Sequence, residues 1–126
     1  MIPLDAVFVN TYKVCKTTGD TYDFSPEASA AYPFIYVGEA MDRDMSNSEL
    51  MGDINQTVHL YGKRTDRLAL SDMAVAIRSG LMAVKNDDNY YLTSKVTSIQ
   101  RLPDNTDVTP LYHYIIEITT TYTRRN

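Results

Sequence analysis

Residues Leu111 to Thr123 alternate between two kinds of side chain. Tyr112, Tyr114, Ile116, Ile118 and Tyr122 fall on even positions, and His113, Glu117, Thr119 and Thr121 on odd ones. Successive side chains of a strand point to opposite faces, so this segment reads as a strand with one apolar face to bury and one polar face to leave wet. Tyr90 to Leu102 precedes it across a turn, Pro103-Asp-Asn-Thr-Asp107, and reads as its antiparallel partner. A chain that holds such a hairpin must cover one side of a sheet with another layer.

The upstream segments supply candidates for that layer. Pro3 to Lys16 reads as a helix: Pro3 suits a first turn, and Leu4, Val7, Phe8, Tyr12 and Cys15 form one stripe at helical spacing. Thr17-Thr-Gly19 ends it, with Gly19 suited to a left-handed cap. A second helix starts at a Thr65 or Asp66 cap and runs to about Val84, burying Leu70, Met73, Ala74, Ile77 and Leu81. Gly80 costs that helix about 1 kcal/mol and marks close packing.

Two more strands complete the pattern. Pro33 to Ala40 contains Phe34-Ile-Tyr-Val37, apolar on both sides, which predicts cover on both faces. Ile54 to Gly62 places Ile54, Gln56, Val58 and Leu60 on one face and Asn55, Thr57, His59 and Tyr61 on the other. Asp20 to Ala31 reads as a loop and Lys85 to Asn89 as a turn. Met41 to Asp53 is too long for a tight turn; it is a flexible loop or two strands running on beyond the sheet. The 126 residues make one domain, residues 1–126. Its expected class is α+β, with a four-stranded, mainly antiparallel sheet flanked by two helices.

No catalytic constellation stands out. The two histidines, His59 and His113, lie in separate predicted strands, without acids or cysteine at ligand spacing. His113 and Glu117 share a face but sit about 13 Å apart on a strand, too far to share an ion. Asp42, Asp44, Asn47 and Glu49 have a calcium-like flavour, yet the glycine and distal glutamate of a calcium loop are missing, so they read as a solvated acidic segment. There is no recognisable triad and no phosphate-cradling glycine loop. The lone Cys15 reads as a small buried apolar residue. The expectation is a protein that is not an enzyme, with no catalytic residues, no metal and no cofactor.

Charge bounds the partners. A net charge of −4 argues against gripping nucleic acid, which needs a basic face, but suits a wall past which DNA slides. Ten tyrosines and no tryptophan fit half-buried strands or protein interfaces. Asp42, Arg43, Asp44, Glu49 and Asp53 form a candidate interface or lumen loop, and Lys63, Arg64, Arg67, Arg124 and Arg125 are candidate inter-subunit basic contacts. The start, Met1-Ile-Pro-Leu-Asp5, lacks a basic n-region, and no apolar run approaches the ~18–20 residues of a membrane span, so a soluble chain without export signal or anchor is expected.

The pieces in order resemble the tail terminator, or tail-to-head joining, proteins of siphophages. The matching positions are Tyr32-Pro-Phe-Ile-Tyr-Val-Gly-Glu39, Val58-His-Leu-Tyr-Gly62, Arg64 to Val84, and the segments 90–102 and 111–123, which together cover most of the chain. The resemblance implies a ring-forming subunit, a homo-hexamer that caps the head-proximal end of the tail tube and ends its polymerisation. It implies the major tail tube protein and a head–tail connector or stopper protein as partners. It also implies a channel through which DNA passes without specific binding, and a place in the virion after assembly in the host cytoplasm. The alternatives are another neck or connector protein of the same virion, or a small-ligand-binding module or enzyme.

Overall fold

The computed structural model describes residues 1–26, 30–45, 50–106 and 108–125. The elements run α1 (Pro3–Lys16), β1 (Thr21–Tyr22), β2 (Phe34–Asp44), β3 (Met51–Lys63), a 3-10 turn (Arg64–Asp66), α2 (Arg67–Ala83), β4 (Tyr90–Asp104) and β5 (Leu111–Arg124). The class is α+β, as the alternation of periods predicts. The sheet is five-stranded and mixed, in the order β1-β2-β3-β5-β4, where a four-stranded sheet was expected. The extra strand is Thr21–Tyr22, which pairs parallel to Ile35 and Tyr36 inside the segment read as a loop. Two residues cannot show a period, so only backbone pairing reveals them.

Both helices lie on one face of the sheet. Cys15 of α1 and Leu70, Ala74, Ile77 and Leu81 of α2 share a cluster with Ile35, Val37, Val58, Leu60, Tyr114, Ile116 and Ile118. A second cluster joins Ala6 and Val7 to Ile54, Tyr90, Leu92 and Tyr122. The apolar faces read from β3 and β5 are therefore the faces that the helices cover. The α2 stripe is the expected one, with Met73 at its margin. In α1 the fully buried line is Val7, Thr11 and Cys15, flanked by Ala6, while Leu4, Phe8 and Tyr12 pack at the edges. Thr11 is tolerated there because its hydroxyl donates to the Val7 carbonyl at 2.8 Å. Burial pushes the Cys15 thiol up to about 12, so it stays protonated and inert.

Gly19 does not take the left-handed cap: no glycine among the described residues has a positive φ. The Thr17 and Thr18 hydroxyls donate to the Val14 carbonyl, at 2.6 and 3.4 Å, and close the helix instead. Among the described residues, no helix is long and apolar enough to cross a membrane.

Gly80 sits where α2 crosses α1. A Cβ at this position would lie 2.6 Å from Val14 Cγ1, so a glycine lets the helices approach. Alanine normally gains about 1 kcal/mol over glycine in a helix. Gly80→Ala should forfeit that gain and lower the melting temperature, and adding Val14→Ala should restore part of it. Ile77 is fully buried, so Ile77→Ala should cost about 2–5 kcal/mol and several degrees of melting temperature. Thermal unfolding followed by circular dichroism checks both; an unchanged Ile77→Ala curve would contradict the packing.

Candidate functional site

The second face of the sheet is covered by no other element among the described residues, and side chains of functional type gather there. Its first part is an aromatic ladder. Phe34 stacks on Tyr61 with ring centroids 5.2 Å apart, Tyr61 on His113 at 4.2 Å, and Tyr36 on His59 at 5.5 Å. Tyr22 of β1 meets Phe34 edge-on at 5.7 Å. These rings explain why Phe34-Ile-Tyr-Val37 is apolar on both sides. Helices cover Ile35 and Val37, whereas Phe34 is buried by Tyr22 and Tyr61 of its own sheet and by Tyr32 just before β2.

A bulge sets up the second part. The β2–β3 register slips between Val37 and Ala40, leaving Gly38 and Glu39 opposite one ladder step. Gln56, fully buried on the helix side, offers its amide NH2 to the carbonyls of Gly38 at 3.0 Å and Glu39 at 3.1 Å, replacing the interrupted ladder bonds. Gly38 leaves room for an imidazole: a Cβ there would lie 2.9 Å from His59 Cδ2. Glu39 then reaches His59, with its Oε1 2.9 Å from His59 Nε2. The other nitrogen, His59 Nδ1, lies 2.7 Å from His113 Nε2.

The proton positions follow from donor and acceptor chemistry. The His59 hydrogen bond, the largest effect, holds the Glu39 carboxyl below its usual range, so it is ionised and only accepts. His59 must therefore carry its proton on Nε2. With His59 neutral, Nδ1 accepts, and His113 donates from Nε2. Burial, and then the neighbouring His59, lower the His113 pKa; the acids Asp104 and Glu39 partly oppose this. Burial, and then the charges of Asp104, Tyr36 and Glu39, raise that of Tyr61. The result is a hydrogen-bonded carboxylate–imidazole–imidazole chain beside stacked tyrosines.

This chain can hold and shift one proton. Both ring nitrogens of His59 are already engaged, and no three His, Cys, Asp or Glu side chains among the described residues are grouped to hold a metal ion. In the sequence the two histidines are 54 positions apart, in separate strands. The β3–β5 register sets Tyr61 opposite His113 and His59 opposite Ile115, so the imidazoles are diagonal neighbours. Their shared polar parity was visible in the sequence; the register that joins them was not.

The predicted acidic segment is not a loop at most of its positions. Asp42, Arg43 and Asp44 belong to β2 and Asp53 to β3, so the strands do run on, as the second alternative held. Asp42 Oδ1 accepts from the Tyr122 hydroxyl at 2.9 Å, and Asp53 accepts from Thr121 at 2.9 Å and pairs with Arg43 at 4.0 Å. Burial, and then this Asp42 bond, push the Tyr122 hydroxyl well up, so it remains a donor. Glu49 lies outside the described residues.

The basic residues are divided rather than gathered. Lys63 faces Leu111 at one end of the β3–β5 pair, while Arg124 faces Tyr90 at the far end of β5. Arg64 donates from Nε to the Leu111 carbonyl at 3.1 Å and lies 4.7 Å over the Tyr112 ring. Arg67 is exposed at the start of α2. Arg124 and Arg125 lie over Tyr90 and Tyr91 at 5.8 and 5.4 Å. On the open face the acids Glu39, Asp53, Asp104 and Glu117 outnumber Arg43, Lys63 and Lys95.

No protein-family model and no curated protein matches this chain.

The lowered His113 pKa gives a signed pH dependence. An unfolded histidine binds its proton near pH 6.5, whereas the folded protein resists protonation, so stability should fall as pH drops below about 6.5 towards the folded-state value. The small contribution of Glu39, which is largely exposed, is lost only at lower pH, below the ordinary carboxylate range near 4.3. Melting temperatures measured from pH 8 to about 2 should show both declines, and His113→Asn should flatten the upper one. An unaltered upper decline in that variant would assign it elsewhere.

Proposed function

We propose that this chain is a structural subunit of a long-tailed bacteriophage. In this reading six copies close a ring on the head-proximal end of the tail tube, stop its growth and join it to the head. The observation that carries the proposal is the succession of helix, Tyr32-Pro-Phe-Ile-Tyr-Val-Gly-Glu39 strand, long hairpin, second helix and paired final strands, which resembles the tail terminators. The architecture supports it in one further respect. Two helices on one face and a wet, acid-biased opposite face suit a subunit that turns its helices outward and its sheet towards a channel. Phosphates are repelled by such a wall, so DNA passes without adhering. The ring requires no catalysis, and Glu39, His59 and His113 then serve to order the wall.

Two measurements test the proposal. Native mass spectrometry, with the chain alone and mixed with tail tubes, should detect a hexamer in at least one condition. A chain that stays monomeric in both would end the reading. A gel shift with duplex DNA at low salt, where electrostatic binding is strongest, should show no retention. Tight, salt-sensitive binding would instead favour a DNA-gripping connector of the neck.

A further inference from the structure

The sheet ends in two edges, each covered over a short stretch. β1 lies along the outer edge of β2 beside Ile35 and Tyr36. The segment before β4 does the same for β4: Asn86 bridges to Tyr91, and Leu92 donates its N–H to the Lys85 carbonyl at 2.8 Å. Beyond these caps, residues 38–43 of β2 and 93–98 of β4 have no strand along their outer edges among the described residues. Free edges of this kind are templates for another strand. Their side chains are bare as well: residues 39–41 are exposed on one edge and residues 97–101 on the other.

The register through the sheet brings the two free runs level. Val37 pairs with Val58, Val58 with Ile116 and Ile116 with Ile99. Arg43 reaches Thr93 in the same way, through Asp53 and Thr121. Each run contains one extra residue, at the slips between Val37 and Ala40 and between Val96 and Ser98, and both slips are level with the Thr57–Glu117 pair. A bulge on an edge discourages pairing with a regular strand. Two bulges at one level cancel. Laid side by side, the runs pair without a break, from Gly38 opposite Ser98 to Arg43 opposite Thr93.

Strand direction and main-chain orientation agree with this alignment. β2 and β4 are antiparallel, because three antiparallel pairings separate them. Ile35 gives its N–H outward to the Asp20 carbonyl, and the outward set alternates along the strand. The slip moves that set onto Ala40 and Asp42. From Leu92 the same alternation turns Ser94 and Val96 outward. The unbroken alignment sets Ala40 opposite Val96 and Asp42 opposite Ser94, so donors on each edge meet acceptors on the other.

We propose that the free edge of β4 in one copy adds antiparallel to the free edge of β2 in the next, so that the sheets of neighbouring copies are continuous. The occupant of each edge is a second copy of this chain. The inference rests on the ring reading and names its contact. Because the two edges differ, the contact is head-to-tail, as a closed ring requires. Continuation of the sheet keeps every open face on one side, towards the channel, and every helix pair on the other. Main-chain hydrogen bonds supply the attraction, and side chains fix the register. On the open face Lys95 stands opposite Met41 and diagonal to the oppositely charged Glu39. On the helix side Ile99, which is 42% exposed, comes beside Val37.

Disulfide cross-linking of the full-length chain tests this contact. Met41→Cys and Lys95→Cys are placed in one chain; both sites are exposed, and the native Cys15 is fully buried. Directly opposed residues of an antiparallel pair have Cα atoms about 4.5–5.5 Å apart, within disulfide reach. Under mild oxidation, alone and with tail tubes, the double variant should give a covalent ladder ending at six copies, about tenfold above the dimers of either single variant. Replacing Lys95→Cys by Ser94→Cys, whose side chain leaves the other face, should abolish the ladder. Ala40→Pro removes an outward-turned N–H and should lower the assembled fraction about tenfold with an unchanged melting curve. Where that variant unfolds, Lys95→Glu takes its place: a like charge beside Glu39 should weaken assembly, most at low salt. Assembly without the Met41–Lys95 ladder, a ladder that survives the change to Ser94→Cys, or single-variant dimers in excess overturns this contact and leaves the ring reading standing. A ladder to six that ignores tail tubes supports the contact and overturns the proposed role. A chain that never associates, with or without tubes, overturns both.

Discussion

The unbroken pairing of β3 with β5 is the constraint on which the rest of the structure depends. From Met51 opposite Thr123 to Lys63 opposite Leu111 the register never slips, whereas both flanking ladders contain an irregularity, at Val37–Ala40 and at Val96–Ser98. A side-chain period of two means that a one-residue slip would invert both strands. The observed register puts Val58 beside Ile116 and Gln56 beside Ile118, so a mostly apolar surface, interrupted by Gln56, faces α1 and α2. The same register puts Tyr61 beside His113 and Thr57 beside Glu117 on the other side. Core and open face are two consequences of one alignment.

Irregularity at the flanks has local reasons. The β2 bulge interrupts the ladder at Gly38 and Glu39, and Gln56 replaces the lost bonds from the buried side. Its NH2 group is well used, but its carbonyl oxygen is buried without a hydrogen-bond partner among the described residues. An unsatisfied buried acceptor costs free energy. The bulge thus carries a cost at Gln56, and what it provides is the aim of Glu39 onto His59. Without the extra residue, Glu39 would keep the strand's alternation and point towards the helices.

Legibility in the sequence followed periodicity. The boundaries of α1, the stripe of α2 and the two faces of β3 and β5 were readable because apolar residues repeat at 3.6 or 2 over ten or more positions. Gly80 was readable as a packing residue because nothing else justifies a glycine inside a helix. The two-residue β1 was not, because pairing with Ile35 and Tyr36 is a property of the partner strand. The outer halves of the β2–β3 hairpin were obscured by their aspartates, whose polarity suggests loop although the backbone pairs them through Asp44 and Gly52. The Glu39–His59–His113 chain was hidden for a third reason: its members are brought together by register and by a bulge, and neither has a composition.

The open face is wet but not loosely so. Thr57 donates to Glu117, Thr119 to Asn55 and Thr121 to Asp53, each at 2.9 Å across the β3–β5 pair. Cross-strand bonds of this kind hold short side chains flat against the sheet and spend acceptors that could otherwise capture a ligand. Exposed apolar side chains border this polar stretch: Met41 and Met51 share its face towards the hairpin end, by their pairing with Asn55 and Thr123, and Leu68, Val75 and Met82 lie on α2. A subunit so divided gains little by stacking its wet face on a partner, because desolvating paired polar groups returns no apolar burial. Burying exposed apolar side chains such as Leu68, Val75 and Met82 does return it. Association that spares this stretch leaves its carboxylates in water, as the proposed wall around a DNA channel requires. The same partition of polar and apolar side chains therefore favours the clear passage that the proposed ring needs.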